Sequence, residues 1–392
     1  MIWKSLAFAL PLSLCLGIQA PLAEPSVEID DEATISEGID GKVERELKKA
    51  SGLKKFVLQE CGDADLAKLC ALFPDMEDLQ VNDGENIRNL APLAGLKKLR
   101  TLGLSDCAAT DLSPVAGLTG LTTLHVQAAM SDLAWMEKLV NLTMVTVGSE
   151  NLTSLKGLPS LPGLTRIVIS GGAPKDLTPI VEALPSLENL ALRDMTLPDL
   201  TPLTKLSMLE DLELYGSKLK DFSPLAGCPK LVKLNYYGTE GADYATLGKL
   251  SRVRELEGGM SKLKDIAWIA HLPNLKSFFM FSEAVQDYSP LAKTHLESLK
   301  LWKMTKGAPV DMTHVARIAG LRELEIHDME VTRFEALSAC TSLQKVTVTD
   351  VKGAGDLAAL KKLPALRKVV VDGDVPEAAL KGFAAGVEVT RD

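Results

Sequence analysis

The feature that most constrains the fold of this chain is an apolar motif that returns about once every 22 residues. The motif has the form L-x-x-L-x-L, and successive copies start 21 to 25 residues apart. Its fifteen copies begin at Leu53, Met76, Leu99, Leu121, Leu142, Leu164, Leu187, Leu209, Leu231, Val253, Leu275, Leu296, Leu321, Leu343 and Leu366. Alternation within each copy predicts a short β-strand, because successive side chains of a strand point to opposite faces. One unit repeated at one spacing predicts a stack of coils and not several compact domains.

A second motif follows many of these strands and predicts a short helix. It appears as DLSPVAGL at 111–118, DLTPLTKL at 199–206 and DFSPLAGC at 221–228. The Ser or Thr hydroxyl can cap a helix, and the proline that follows suits the first helical position. We assign the recurrent aspartate to turn and capping chemistry and not to calcium binding. Each coil should therefore carry one strand and one short helix or 3₁₀ segment, with their apolar residues meeting between them.

The two motifs together resemble the internalin-type leucine-rich repeats of bacteria, over residues 53–371. The resemblance implies an α/β leucine-rich-repeat solenoid with a curved parallel sheet on the concave face and short helices or 3₁₀ segments on the convex face. It also implies a binding module, since internalin-type proteins bind partner proteins on the concave face. This chain departs from the pattern where an asparagine usually follows the strand, for example at Cys107 and Ser217. The backbone donors of that turn must therefore find other acceptors.

The amino-terminal residues 1–23 have the composition of a secretory signal peptide, with Lys4, an apolar run over 6–18 and small residues near Ala23. The run is shorter than the roughly 20 residues that span a bilayer as a helix. We therefore expect cleavage and a periplasmic or secreted protein with no transmembrane segment in the mature chain. The further divisions that we expect are a flexible acidic leader at 24–40, an N-terminal cap and first partial repeat at 41–74, the solenoid at 75–375 and a C-terminal cap at 376–392.

Charge, motifs and cysteines exclude several classes of function. The net charge is −9 and no basic stripe is present, which argues against a nucleic-acid partner. The sequence has no Walker loop, G-x-S-x-G or H-E-x-x-H motif, and its five histidines are dispersed, so we expect neither an enzyme nor a bound metal or other cofactor. Cys61 and Cys70 lie close together. They either form a disulfide in an oxidising compartment or remain two buried thiols.

Aromatic residues make up only 5% of the chain, but they concentrate at one position of the repeat. The first, fourth and sixth residues of each strand motif should point into the core, which leaves the third, fifth and seventh on the concave face. The seventh position carries a ring in five of six consecutive coils, with Gly259 in the remaining one. The candidate binding residues are these five, the fifth-position Phe279 and the preceding arginine: Arg193, Tyr215, Tyr237, Phe279, Phe281, Trp302 and His327.

The aromatic row has two interpretations. The rings could form a structural ladder that stacks on itself, or they could hold a ligand. Charged residues among them, such as Glu213, Lys300 and Glu325, favour a ligand, because apolar anchors with a charged surround are typical of interaction hot spots. We predict a protein or peptide partner and keep glycan or peptidoglycan binding on the same rings as the alternative. Earlier coils present small residues such as Thr101 and Thr123, and little affinity is expected there.

Overall fold

The computed structural model describes residues 25–50, 52–259, 263–282, 284–302, 309–355, 357–373 and 375–391. The signal peptide expected at 1–23 lies outside these ranges. The strands of the described ranges are β1 (Ser26–Ile29), β2 (Ala33–Ser36), β3 (Lys55–Gln59), β4 (Asp78–Asn82), β5 (Thr101–Cys107), β6 (Thr123–Ala128), β7 (Met144–Gly148), β8 (Arg166–Ser170), β9 (Asn189–Arg193), β10 (Asp211–Glu213), β11 (Lys233–Asn235), β12 (Glu255–Gly259), β13 (Ser277–Phe281), β14 (Ser298–Trp302), β15 (Val310–Asp311), β16 (Glu323–His327), β17 (Val331–Thr332), β18 (Lys345–Thr349), β19 (Lys368–Asp372) and β20 (Glu388–Arg391).

Eighteen of these strands form a single sheet, and β15 and β17 form a separate parallel pair. Strands of the large sheet pair in chain order, and every pairing after the first is parallel. Equal positions of the motif are neighbours, as in Leu212 beside Leu234 and Leu234 beside Leu256. The 22-residue period therefore places one motif position in one row across the sheet.

Short helical segments return the chain between strands. The α-helices are α1 (Gly41–Lys49), α2 (Asp63–Leu72), α3 (Ser113–Ala116), α4 (Thr178–Ala183) and α5 (Met312–Ala316). The 3₁₀ segments span Ala91–Gly95, Ala134–Met136, Thr201–Lys205, Ser223–Gly227, Tyr244–Lys249, Ala267–His271, Ser289–Lys293, Phe334–Ala339, Leu360–Lys362 and Glu377–Leu380. Their apolar residues, such as Leu203 and Leu225, are buried with the motif leucines in one continuous core. The solenoid predicted from the repeat is confirmed.

The helix starts correct one detail of the sequence interpretation. We expected the Ser or Thr hydroxyl to cap each helix, but that residue is instead the first residue of the helical segment. The aspartate two residues earlier accepts a hydrogen bond from its backbone N–H, at 2.9 Å from Ser113 to Asp111 and 2.8 Å from Thr178 to Asp176. Asp199, Asp221 and Asp287 accept the equivalent bond in their coils. A carboxylate satisfies this donor well, so the aspartate row has a structural role.

We expected a flexible leader at 24–40, but a β-hairpin occupies most of this range. β1 and β2 form an antiparallel hairpin, and β2 pairs in parallel with β3. Ala33 and Ile35 are fully buried and cover the end of the core, which the first full coil would otherwise expose. The hairpin is followed by α1, which begins the N-terminal cap expected at 41–74, and Asp40 caps it by accepting from the backbone N–H of Val43 at 2.8 Å. At the other end, β20 lies in the C-terminal cap expected at 376–392 and pairs in parallel with β19.

The turn after each strand forms without the asparagine that internalin-type repeats usually have there. The residue directly after the seventh position adopts a left-handed conformation in many coils, for example Asp106 and Asp194, with φ of 53° and 52°. Asp and Gly tolerate this conformation better than most residues. In some coils a buried hydroxyl supplies the missing acceptor. The Oγ of Ser217 accepts from the backbone N–H of Met195 at 3.2 Å and donates to the carbonyl of Leu192 at 2.9 Å.

The cysteines of the described chain are free and buried. Cys61 and Cys70 are separate thiols in the structure, so the disulfide that the sequence left open is not formed there. Burial raises the pKa of Cys61 to about 11 and that of Cys70 to about 12. Thiols with such high pKa values stay protonated near neutral pH and are poor nucleophiles. These residues act as small apolar side chains of the core.

Candidate interaction face

Six rings lie on the concave face, and we call them the aromatic strip: Tyr215, Tyr237, Phe279, Phe281, Trp302 and His327. Phe279 and Phe281 belong to β13, while Trp302 ends β14 and His327 ends β16. Tyr215 and Tyr237 lie two residues beyond the ends of β10 and β11. The hydrogen-bonded ladder continues there, since the carbonyl of Tyr237 accepts from the N–H of Gly216 at 2.9 Å. The extended backbone therefore keeps both tyrosines on the same face as the later rings.

The rings of the strip contact one another in two groups. Tyr215 and Tyr237 are stacked, with centroids 5.7 Å apart and an interplanar angle of 11°, and Phe281 lies 5.7 Å from Tyr237. In the second group the Trp302 ring lies 5.1 Å from Phe279 and 4.6 Å from His327. The two groups meet on β13, which carries both phenylalanines. The self-stacking that the sequence analysis considered is present, so ring contact contributes to the rigidity of the strip.

Gly259 on β12 makes the contact between Tyr237 and Phe281 possible, and Gly258 makes room for a ring on the buried side. These rings belong to coils that are two strand spacings apart, about 9.6 Å. Gly259 occupies the coil between them, with φ of 143°, and a Cβ there would collide with the backbone carbonyl of Phe281. At Gly258 a Cβ would lie 2.6 Å from the ring of the buried Tyr236. The missing side chains on β12 thus leave room for rings on both sides of the sheet.

The exposure of the rings differs from the expectation at one position. Trp302 keeps 39% of its surface exposed, and Tyr215, Tyr237, Phe279 and His327 are partly exposed. Phe281 is only 9% exposed, although we expected it to stand open on the concave face. The reason is that its ring packs against Tyr237 beside the side-chain-free Gly259. Phe281 therefore supports the neighbouring ring and offers little surface of its own.

Arg193 also has a different environment from the one that its position suggested. Its guanidinium makes two hydrogen bonds to the carboxylate of Glu213, from Nε at 2.7 Å and from the terminal nitrogen at 2.9 Å. Such a two-point pair matches the planar shapes of both groups and holds them together. Both side chains are only partly exposed. Arg193 is brought to the edge of the strip, but its charge is already paired with a carboxylate of the same face.

Glu325 organises the other end of the strip. Its carboxylate lies 2.8 Å from Nε2 of His327 and 3.1 Å from Nζ of Lys300, and it accepts from Nε1 of Trp302 at 3.3 Å. The hydrogen bond with His327 is the main cause that lowers the pKa of Glu325 to about 2, and Lys300 acts in the same direction. The ionised carboxylate therefore orients three side chains, including the most exposed ring of the strip.

The earlier part of the concave face is built from small side chains. Gly103 of β5 is covered by the side chain of Gln80 from β4, and Gly148 of β7 lies under the hydroxyl of Ser170 from β8. His125 on β6 is partly buried, and this burial lowers its pKa. Met144 at the start of β7 is 57% exposed, an apolar side chain that sequence reasoning did not single out. It could have been found because it occupies a third position, which the motif places on the concave face.

The described part of the chain has no pocket suited to a small molecule. Its two best-formed depressions each have a volume of about 10 Å³, about enough for one water. Pockets for drug-sized ligands usually measure several hundred Å³. Among the described residues no three His, Cys, Asp or Glu side chains are grouped to hold a metal ion. No helix in the same ranges is both long and apolar enough to cross a membrane.

Comparison with solved structures places the chain among leucine-rich-repeat solenoids. An internalin (inlF) from Listeria monocytogenes matches with a TM-score of 0.52 and 20% identity, over 86% of each chain. A leucine-rich-repeat protein of Leptospira interrogans gives 0.55 and 16%, over 86% of this chain and 93% of that one. The TLR13 chain of a TLR13–ssRNA13 complex gives 0.58 and 16%, over 90% and 59%. No protein-family model matches, and no curated protein matches by sequence.

The solved structures confirm the resemblance to internalin-type leucine-rich-repeat proteins at the level of the fold. The identities of 16 to 20% extend the likeness no further than that. The strands of such a solenoid present one continuous face, and in this chain that face carries the aromatic strip. What the strip binds must be argued from its own residues.

Proposed function

We propose that this chain is an exported leucine-rich-repeat protein that binds a protein or peptide partner with the aromatic strip. The observation that carries the proposal is Trp302, which is 39% exposed on the concave face and whose indole is held in place by Phe279, His327 and Glu325. An exposed aromatic ring that is already rigid loses little conformational freedom on binding. Tryptophan and tyrosine are also the residue types that most often contribute large binding energies at protein interfaces.

The shape of the face favours a macromolecule over a small ligand. The six rings span coils from Tyr215 to His327, which corresponds to about 25 Å at the usual strand spacing. The depression of this face that Lys300 and Glu325 line holds about one water, so a ligand must lie across the surface. A glycan or peptidoglycan strand is the second candidate, because sugars also stack on exposed rings. The charged residues around the rings favour a polypeptide, since they can pair with charged side chains.

The charge of the chain favours protein over nucleic acid. TLR13, one of the structures with the same fold, was solved in a complex with ssRNA13, so this fold can carry a nucleic-acid ligand. A net charge of −9 would repel a phosphate backbone, whose binding needs a dominant positive field. The expectation that no nucleic acid binds therefore remains part of the proposal. Export is also proposed, from the signal-peptide composition of residues 1–23.

The decisive test replaces Tyr237, Phe279 and Trp302 together with alanine and measures capture of peptides and proteins on the immobilised chain. Because the rings supply the apolar contact, the affinity should fall by more than about 100-fold. Circular dichroism should keep its β-sheet signal, and glycan arrays run in parallel will separate the two candidate ligands. A triple variant that folds and still binds with unchanged affinity would exclude the strip as the binding face.

A further inference from the structure

The carboxylate that contacts the rings is paired with a cation at the Trp302 end of the aromatic strip, whereas carboxylates outnumber cations at the tyrosine end. At the Trp302 end, Glu325 is paired with Lys300 and His327. At the tyrosine end, the third and fifth positions of β10, β11 and β12 carry four carboxylates and one lysine: Asp211, Glu213, Lys233, Glu255 and Glu257, with Asn235 as the remaining residue. Arg193 neutralises Glu213, and the ammonium of Lys233 lies 4.0 Å from carboxylate oxygens of both Asp211 and Glu255.

Within the described ranges, Glu257 is the carboxylate of this group that has no cation beside it. None of the ion pairs formed among the described residues includes its carboxylate. Its position in the register is central, since it pairs with Asn235 on one side and with Phe279 on the other, while Gly259 follows it on the same face. The aromatic strip therefore surrounds this carboxylate: Tyr237 lies on the preceding coil, and Phe279 and Phe281 lie on the next one.

The pKa of Asp211 indicates an excess of negative charge on this surface. Burial raises the pKa of Asp211, and although Lys233 acts in the opposite direction, the carboxylates of Glu213, Glu257 and Glu255 raise it further. These like charges oppose one another on a half-buried surface, where charges are screened less than in open water. A cation brought to this surface would relieve that repulsion. The same cation would also be attracted to the faces of neighbouring aromatic rings.

We propose that the partner inserts a lysine or arginine side chain beside Glu257, where the cation contacts the rings of Tyr237 and Phe279. This inference rests on the proposed function, because it assumes that a polypeptide lies on the strip. Two kinds of interaction then act on one group: the carboxylate pairs with the charge, and the rings contact both the charge and the apolar stem of the side chain. Both rings are partly exposed, so the stem can lie against them from the solvent side.

The experiment pans a display library of random twelve-residue peptides on the full chain and synthesises the selected peptides. Each arginine in them is then replaced by citrulline, which keeps the shape and removes the charge, and each lysine by acetyl-lysine. We expect lysine or arginine to be enriched, and the neutral analogues to bind about tenfold more weakly to the unsubstituted chain. Glu257→Gln should remove this difference. Glu323→Gln is the matched control, an exposed carboxylate on the same face of β16, and should leave it intact.

The possible outcomes separate this inference from the proposed function. Peptides that lose affinity with Trp302→Ala but bind equally well as charged and neutral analogues would overturn the cation inference and leave the proposed function standing. A library that yields no peptide dependent on the strip would overturn both. If Glu257→Gln fails to fold, the comparison of charged and neutral peptides on the unsubstituted chain still decides the question.

Discussion

Two parts of the concave face have the same backbone arrangement but expose different side chains. The early part, from β5 to β8, shows small side chains, and Met144 is an exposed large apolar residue on its strands. The later part carries the aromatic strip with its charged surround. Both keep the same parallel register and the same buried leucines beneath. The comparison teaches that core positions maintain the coil while the third, fifth and seventh positions are free to build a surface.

The glycines of the two parts show the same contrast. A side chain at Gly103 would meet only the end of the Gln80 side chain, which can move away. A side chain at Gly259 would meet the backbone of Phe281, which cannot move without disturbing the sheet. The packing of the strip therefore depends on the absence of a side chain at Gly259, whereas the early face would tolerate a side chain at Gly103.

The first prediction tests that contrast and has the largest expected effect. Gly259→Ala should lower the free energy of unfolding by about 3 kcal/mol or more, because the Cβ collides with a carbonyl and φ is 143°. Gly103→Ala should change it by less than about 1 kcal/mol. Urea denaturation followed by circular dichroism measures both. Equal losses for the two variants would show that the faces are not built differently.

The second prediction compares the exposed apolar side chains of the two parts. Trp302→Ala should weaken the binding of peptides selected on the chain about 30-fold, or about 2 kcal/mol, as removal of a central aromatic contact does. Met144→Ala is its control and should change the affinity less than about twofold, although Met144 is the more exposed residue. Isothermal titration calorimetry gives both values. A larger loss from Met144→Ala would move the binding face to the early coils.

The third prediction concerns the carboxylate that orients Trp302, and its effect is the smallest. The folded-state pKa of Glu325 is about 2, below its ordinary value of 4.5. Its stabilising effect is therefore complete above pH 4.5 and is lost as the pH falls from 4.5 towards 2. Glu325→Gln should lower the free energy of unfolding by about 1 kcal/mol at pH 7, and the difference should vanish near pH 2.

Denaturant titrations of both proteins at several pH values measure this difference. Glu323→Gln on the same strand is the control and should show little change at any pH, because its side chain is exposed. A Glu325→Gln difference that stays constant down to pH 2 would contradict the depressed pKa.

Much of the fold could be predicted from local pattern. The motif phase placed Leu212, Leu234 and Leu256 in one buried row, and the structure confirms it. The N-terminal hairpin could not be predicted in this way. Its burial depends on Ala33 and Ile35 covering the end of a stack that is assembled from residues far along the chain. The hairpin sequence is acidic and has only two short apolar alternations, so it gave no periodic signal.

The sequence predicted which residues lie on the candidate face, but it did not predict how exposed they are or which partners they contact. Sequence reasoning brought Tyr215, Tyr237, Trp302 and their neighbours to one face, where the structure has them. It could not find that Phe281 would be nearly buried or that Arg193 would pair with Glu213, because both contacts join residues of different coils. Sequence reasoning did not single out Glu257 among the charged residues near the rings.

The sequence by itself determined the coil period, the strand phase and the face on which each side chain lies, because these depend on local alternation and on regular repetition. Only the tertiary structure decided which rings remain exposed and which charges remain unbalanced. Those properties arise from contacts between side chains about 22 residues apart or more. The strength of these contacts depends on the distances between the side chains. For Tyr237 and Phe281, Gly259 sets that distance because it has no side chain between the two rings.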